Sequence, residues 1–402
     1  MSQIKNNEIT HTGNTGTSNI VLDASGNVTV ANNVTVGNNV TATGTCTATG
    51  GFIGIPDVRN YLINGDMQVS TRGTSFTATN NQNNDDLYTL EQWILLSDDN
   101  DVVDITQTIE AWAADSPGHW ASMQLEVETA NKKFGILQPI ESRNARGLIS
   151  GTASLSFKMK VSATDQWGAN SIKAAVVSWS STADSITSDI VSAWGAEGTR
   201  PTLATNWTYE NANDSGTTGN FTPTTSWATY TLKNVSIDTS STTNVGVFIW
   251  SDVTDTTAGQ FLYITDVQLE TGATNNAFER RSYHSQFAEC QRYYQYQAAA
   301  AYGTYAAGTV SSRTQAYCHA TLMTPMRVDG SSIAFAVSAA SDFYVLHGSS
   351  TTNCTAIDDN DRHGTGLVEL RATVASGLTT HRGATIRDDG NGYSWMEFDA
   401  EL

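Results

Sequence analysis

Alternation of apolar and polar residues over ten or more positions leaves a chain few ways to fold, and residues 149–161 carry it. Ala153, Leu155, Phe157, Met159 and Val161 stand at every second position there. A period of two puts them on one face of an extended strand and cannot make an apolar stripe on a helix. Residues 174–179, 244–250 and 261–269 read the same way, as short segments of Val, Ile and aromatic residues bounded by turn formers. Strands at this density, with no helical period between 57 and 283, predict an antiparallel β-sandwich. Residues 180–226 interrupt it as a long polar excursion. Strand patterns resume at 315–322, 332–337, 366–372 and 393–398, enough for a smaller second sandwich over 302–402. Between the two, Tyr283, Phe287, Cys290 and Tyr294 fall at i, i+4, i+7 and i+11, which predicts a connecting helix over 284–301. The fold class expected is all-β.

Residues 1–56 differ from the rest. Between Glu8 and Asp57 the only charged residue is Asp23. A six-residue unit recurs in phase: Val28-Thr29-Val30 with Ala31-Asn32-Asn33, then Val34-Thr35-Val36 with Gly37-Asn38-Asn39, then Val40-Thr41-Ala42. Each unit reads as a β-branched strand and a turn. Residues 20–22 and 28–30 flank Asp23-Ala24-Ser25-Gly26-Asn27, a hairpin turn. So few units cannot bury a valine stripe alone; stacked neighbours are needed. Copies of the chain can supply them, so Val28, Val30, Val34, Val36 and Val40 are the expected seam of a homo-oligomeric β-stem. A trimer suits a three-faced prism. A polar linker would share the composition but has no reason to keep valines in phase.

Charge narrows the function. Lys and Arg number 21 against 40 Asp and Glu, a formal charge of −19. Nucleic acid and anionic membranes reward clustered Lys and Arg, so neither is the expected partner. Charged residues are only 15 % of the chain and hydrophobic ones 39 %, with ten Trp, which argues for a packed core over disorder. No cleaved leader is expected from Met1-Ser2-Gln3-Ile4-Lys5, and no apolar run of about 18 residues predicts membrane insertion. Cys46, Cys290, Cys318 and Cys354 lack metal or redox spacing and are expected as buried thiols. Nucleophile-elbow, phosphate-loop, zinc-protease and dinucleotide motifs are all missing. The seven histidines have no ligand spacing. Asp98-Asp99-Asn100-Asp101 and Asp358-Asp359-Asn360-Asp361 read as solvated turns, since the second lacks a bidentate Glu at the twelfth position of a calcium loop. No enzyme is expected.

Aromatic residues are the remaining signal. An exposed ring can stack on the apolar face of a sugar. Trp194, Trp207, Tyr209 and Trp227 lie in or beside the excursion and are the candidates for a glycan-facing surface. Trp93, Trp179 and Trp250 sit in strand-like surroundings and are expected in the core.

Asn60-Tyr61-Leu62-Ile63-Asn64-Gly65-Asp66-Met67-Gln68, followed by Tyr88-Thr89-Leu90-Glu91-Gln92-Trp93, resembles the opening of a module common in bacteriophage fibre proteins, especially those of marine phages. Its close is similar too: Ile264-Thr265-Asp266-Val267-Gln268-Leu269-Glu270, then Ala277-Phe278-Glu279-Arg280-Arg281, then Cys290-Gln291-Arg292-Tyr293-Tyr294-Gln295. The segment 20–30 resembles the virion-proximal stem of such fibres. The resemblance covers about residues 1–297. It implies a jelly-roll domain similar to carbohydrate-binding domains over 57–283, carried on a trimeric appendage exposed on the virion. It also implies that Asp266 sits where related jelly rolls place an aspartate on a structural Ca²⁺; no other cofactor is implied. The expected function is a non-enzymatic tail fibre that adheres to host-surface glycan and contacts other virion proteins through its N-terminus. A capsid-decorating head or neck fibre with a docking role is the alternative, and a polysaccharide-degrading tailspike the next.

Overall fold

The computed structural model describes residues 8–9, 20–22 and 28–30 as strands, and residues 59–402 apart from 111–117, 165–166, 211–218, 239–240, 255, 330–331 and 361–363. The chain divides into two compact units, Met1–Asp57 and Val58–Leu402. In the first, Glu8–Ile9, Ile20–Leu22 and Val28–Val30 form an antiparallel three-stranded sheet. Ile20 pairs with Val30 and Leu22 with Val28, the hairpin predicted around Asp23–Asn27. Val34, Val36, Val40 and Cys46 lie outside the described residues.

The second unit begins with a two-sheet sandwich. One sheet has six strands in the order Ala228–Ser236, Thr152–Val161, Phe261–Thr271, Ala121–Val127, Val103–Ile109, Ser75–Phe76. The other runs Trp207–Tyr209, Ile172–Trp179, Asn244–Ser251, Phe134–Ile140, Ile94–Ser97, Leu87–Tyr88, with Asn220–Phe221 also paired to Ile172–Trp179. The alternation in 149–161 has the predicted result: Ala153, Leu155, Phe157, Met159 and Val161 all face the core between the sheets. Trp93, Trp179 and Trp250 are buried, as expected.

The residues that carry the family resemblance close this sandwich. The Asn60 carboxamide donates to the Val267 carbonyl at 2.9 Å and accepts from the Leu62 and Leu269 amides at 3.1 and 3.0 Å. Gly65 lies so near the last strand that a Cβ there would be 2.1 Å from the Val267 carbonyl oxygen. Glu279 accepts from the Arg59 and Asn60 amides at 2.9 and 2.7 Å. The Gln286 carboxamide donates to Asp66 at 3.0 Å, which seats the following helix on the opening segment. Buried polar groups this far apart in sequence are costly unless paired, so the motif is a lock between the two ends of the domain.

The helix spans Tyr283–Gln291, shorter than the predicted 284–301. Ser282 caps it by accepting from the Ser285 amide. Beyond it, Tyr294–Ala298 is a strand paired with Trp395–Asp399. The Tyr-Gln-Tyr-Gln alternation of 294–297 is a period-two signal that the helical stripe through Tyr294 concealed. Tyr283 is exposed, and Gln286 and Cys290 are the buried residues of the helix.

Where a second sandwich was expected, six strands close into a barrel: Thr304–Val310, Gln315–Thr321, Leu367–Val374, Ser350–Asp359, Phe343–His347, Gly383–Asp388. Thr304–Val310 pairs on both sides, which removes the free edges a sandwich would keep. Its core mixes small residues, Ala316, Cys318, Ala320, Ala372 and Ala384, with large ones such as Phe343, Leu370 and Ile386. A separate sheet of Tyr294–Ala298, Trp395–Asp399 and Ala334–Val337 packs beside it. Cys290, Cys318 and Cys354 are buried free thiols, as expected.

The two modules of this unit are joined by charge. Arg72 of the jelly roll lies 3.7 Å from the centre of the Tyr294 ring and pairs with Asp399 at 2.9 Å and Glu401 at 3.1 Å. Gln92 donates to Glu401 at 2.9 Å. Burial pushes the Glu401 carboxyl up to about 7, outweighing the nearby Arg72. Among the described residues no helix is long and apolar enough to cross a membrane.

Candidate functional site

The excursion 180–226 returns to the sandwich. Every residue of Asn244–Ser251 is buried, so the seven-stranded sheet is covered on its outer face as well as its inner one. The cover is aromatic. Trp207 packs against Trp179 with ring centres 5.4 Å apart and donates to the Thr187 carbonyl at 3.2 Å. Trp194 lies 6.1 Å from Phe248. Tyr209 lies 6.2 Å from Trp250 and donates to the Pro201 carbonyl at 2.9 Å. Trp194 and Trp207 are 7 % and 5 % exposed. The open stacking surface expected of these two is corrected by that burial: their rings cover apolar sheet.

Trp227 has a different setting. It is half-buried beside the six-stranded sheet, with the Lys160 ammonium 4.7 Å from its ring centre and His119 edge-on at 4.7 Å. Lys160 also lies over Tyr263, its register partner on the neighbouring strand. A cation already engages this aromatic pair.

Asp266 does not offer a calcium cradle. Its carboxylate is paired with Lys158 at 3.0 Å and Arg280 at 2.7 Å, so an ammonium and a guanidinium stand where a divalent ion would need oxygen ligands. Among the described residues no group of three or more His, Cys, Asp or Glu is arranged to hold a metal.

Among the described residues Trp120 and Tyr283 are exposed on the first module and its helix, and an open aromatic surface with a groove lies on the C-terminal module. A groove of about 480 Å³ runs between the strand Tyr294–Ala298 and the barrel strands Thr304–Val310 and Gln315–Thr321. Tyr296, Met323, Ala298 and Ala299 line it, together with Gln297, Thr304, Tyr305, His319 and Thr321. Tyr296 is 43 % exposed and Met323 75 %. Tyr296 is stacked on Trp395 at 6.0 Å with 28° between the rings, which fixes its plane. Burial, with Tyr305 and Glu397 nearby, pushes the Tyr296 phenol up, so its hydroxyl stays protonated as a donor. Tyr305 holds the far wall: its hydroxyl accepts from the Ala299 amide at 2.8 Å and donates to the Ser394 carbonyl at 2.6 Å. His319 is 3.4 Å from Glu369. The adjoining turns carry Tyr302 and Tyr393, 62 % and 79 % exposed. Tyr302 adopts a left-handed φ of 64° and covers Gly390, where a Cβ would be 2.5 Å from its ring.

Chemically the groove offers a rigid ring face and a row of neutral donors and acceptors. Such a set is chemically able to stack on and hydrogen-bond a polyhydroxylated ring. None of its residues was among the sequence candidates. Reading 284–301 as helix hid Tyr296. The tyrosines in Tyr302-Gly303 and Gly392-Tyr393 stood in turn contexts that could have flagged them.

No protein-family description matches this chain, and no curated protein sequence does. Among solved structures it is similar over part of its length to a xylan-binding domain, at 12 % identity with a TM-score of 0.30, covering 55 % of this chain and all of the other. A carbohydrate-binding module in complex with β-1,4-galactotriose matches at 13 % identity and a TM-score of 0.27, over 54 % of this chain and all of the other. The enzymatically active domain of tailspike protein 4 of bacteriophage CBA120 matches at 12 % identity and a TM-score of 0.27, over 53 % of this chain and 21 % of that one.

Proposed function

We propose that this chain is a non-enzymatic adhesion fibre of a bacteriophage particle, most simply a tail fibre, and that it holds host-surface glycan in the groove beside Tyr296. The observation that carries the reading is the groove itself, a fixed and half-exposed tyrosine face rimmed by Gln297, Thr304, His319 and Thr321. Neutral saccharide fits a surface of this composition on a chain of charge −19. The phage assignment is supported by the motifs at 60–68, 264–270 and 277–281, whose residues make the lock between the two ends of the jelly roll. The N-terminal sheet is the trimerisation and virion-docking element in this reading. Three linked copies turn weak single-site binding into adhesion, because the second and third contacts form at high effective concentration.

Labelled full chain added to host cells tests the proposal. Binding that is lost after periodate oxidation of the surface glycan, and after Tyr296→Ala, supports it; binding indifferent to both refutes it. Light scattering of the full chain beside one beginning at Asp57 tests the stem: a trimer that becomes a monomer supports it, and monomers in both refute it.

A further inference from the structure

A second cavity, of about 580 Å³, opens where the start of the jelly roll meets the helix Tyr283–Gln291. Arg143, Arg281 and Arg292 line it beside Tyr61, Asn144 and Glu289. Two of the arginines are already compensated. Arg292 pairs with Glu141 through three contacts at 2.8, 3.1 and 3.3 Å. Arg281 pairs with Glu289 at 2.7 Å and Glu279 at 3.5 Å. Arg143 is exposed and makes no ion pair or hydrogen bond among the described residues. Arg143 is therefore the guanidinium on this lining left open to an anionic group, since Arg281 and Arg292 are taken up by Glu279, Glu289 and Glu141.

Tyr61, partly buried against the core, is held firmly on the cavity lining. The Tyr61 amide donates to the Leu269 carbonyl at 2.9 Å, which ties the residue to the last jelly-roll strand. The Tyr61 hydroxyl lies where a Cβ on residue 147 would be 2.3 Å away, so only Gly147 admits the side chain in this position. An inorganic anion would use Arg143 and leave Tyr61, Asn144 and most of the volume unfilled. Cavities of this size take small organic ligands.

We propose that this cavity binds an acidic saccharide, the guanidinium of Arg143 forking its carboxylate and Tyr61 lying against its ring. The saccharide class rests on the adhesion reading; the site and the charge of the ligand go beyond it.

Calorimetric titration of the full chain tests this with digalacturonate, glucuronate and N-acetylneuraminate as acidic probes, galactobiose as the neutral one and sodium sulfate at matched ionic strength. At least one acidic probe is expected to bind about tenfold or more tightly than galactobiose and sulfate. Arg143→Gln, at an exposed position of the short helix Ser142–Ala145, should keep the melting temperature and weaken that probe about tenfold; Tyr296→Ala should leave it unchanged. Binding of no acidic probe, equal affinity in Arg143→Gln, or sulfate binding as tightly as the sugar overturns the proposal. Loss of cell adhesion in Tyr296→Ala with the acidic probe still bound separates the two sites. An acidic probe bound through Arg143, with cell adhesion indifferent to Tyr296, refutes the groove alone.

Discussion

The outer face of the seven-stranded sheet and the rim of the C-terminal groove are both rich in aromatic residues, and they use them in opposite ways. On the sheet, Trp194 and Trp207 of the excursion pack with Trp179 and Trp250 of the strands beneath, each with its polar edge or ring contacts inside the protein. At the groove, Tyr296 leans on a single partner, Trp395, and keeps much of its surface in water, while Tyr302, Tyr393 and Met323 extend from turns. What separates them is the backbone beneath. The sheet is apolar on both faces and needs a cover; C-terminal strands such as Leu367–Val374 and Gly383–Asp388 alternate and have their core satisfied by the barrel interior. Aromatic content alone does not locate a binding surface. The burial demand of the strands beside it does.

That contrast can be broken by substitution. Trp207→Ala should cost about 3–5 kcal/mol of stability, the range for a buried aromatic, read as a lowered urea midpoint. A near-neutral result would mean that the excursion does not hold the sheet. Trp227→Ala, which removes a half-buried ring and its cation–π contact, should cost less, about 1–2 kcal/mol. Tyr393→Ala should change stability by no more than about 0.5 kcal/mol, as at an exposed site; a larger loss would place its ring in the packing.

The junction between the modules gives a pH test. The folded-state carboxyl of Glu401 lies near 7, above its ordinary value of 4.5, so between those values the folded protein binds more protons than the unfolded. The contribution of this group is therefore lost as pH rises from about 4.5 through 7. Thermal midpoints measured at pH 5 and 7.5 should fall less in Glu401→Gln than in the natural chain; an identical fall in both would remove Glu401 from the account.

Much of the strand framework was legible because period-two runs such as 149–161 and 366–372 have one solution. The continuous apolar runs at 174–177 and 245–250 fit a sheet buried on both faces, a signal that reading Trp194 and Trp207 as an open stacking surface passes over. Two features were not legible. The stripe through Tyr283, Phe287, Cys290 and Tyr294 satisfies a helical period by chance, because a helix of nine residues and a strand follow one another within it. Barrel closure depends on Thr304–Val310 finding partners on both sides, a long-range pairing that no local pattern encodes. The groove inherits both, since it forms between that strand and that barrel.

The most direct measurement is a calorimetric titration of oligosaccharides released from the host surface into the full chain and into Tyr296→Ala, with the melting temperature of each taken alongside. The account predicts saturable binding to the natural chain, at least tenfold weaker in the variant, with melting temperatures that coincide. Equal affinity in the two proteins would contradict it, and so would a loss of binding accompanied by a loss of fold.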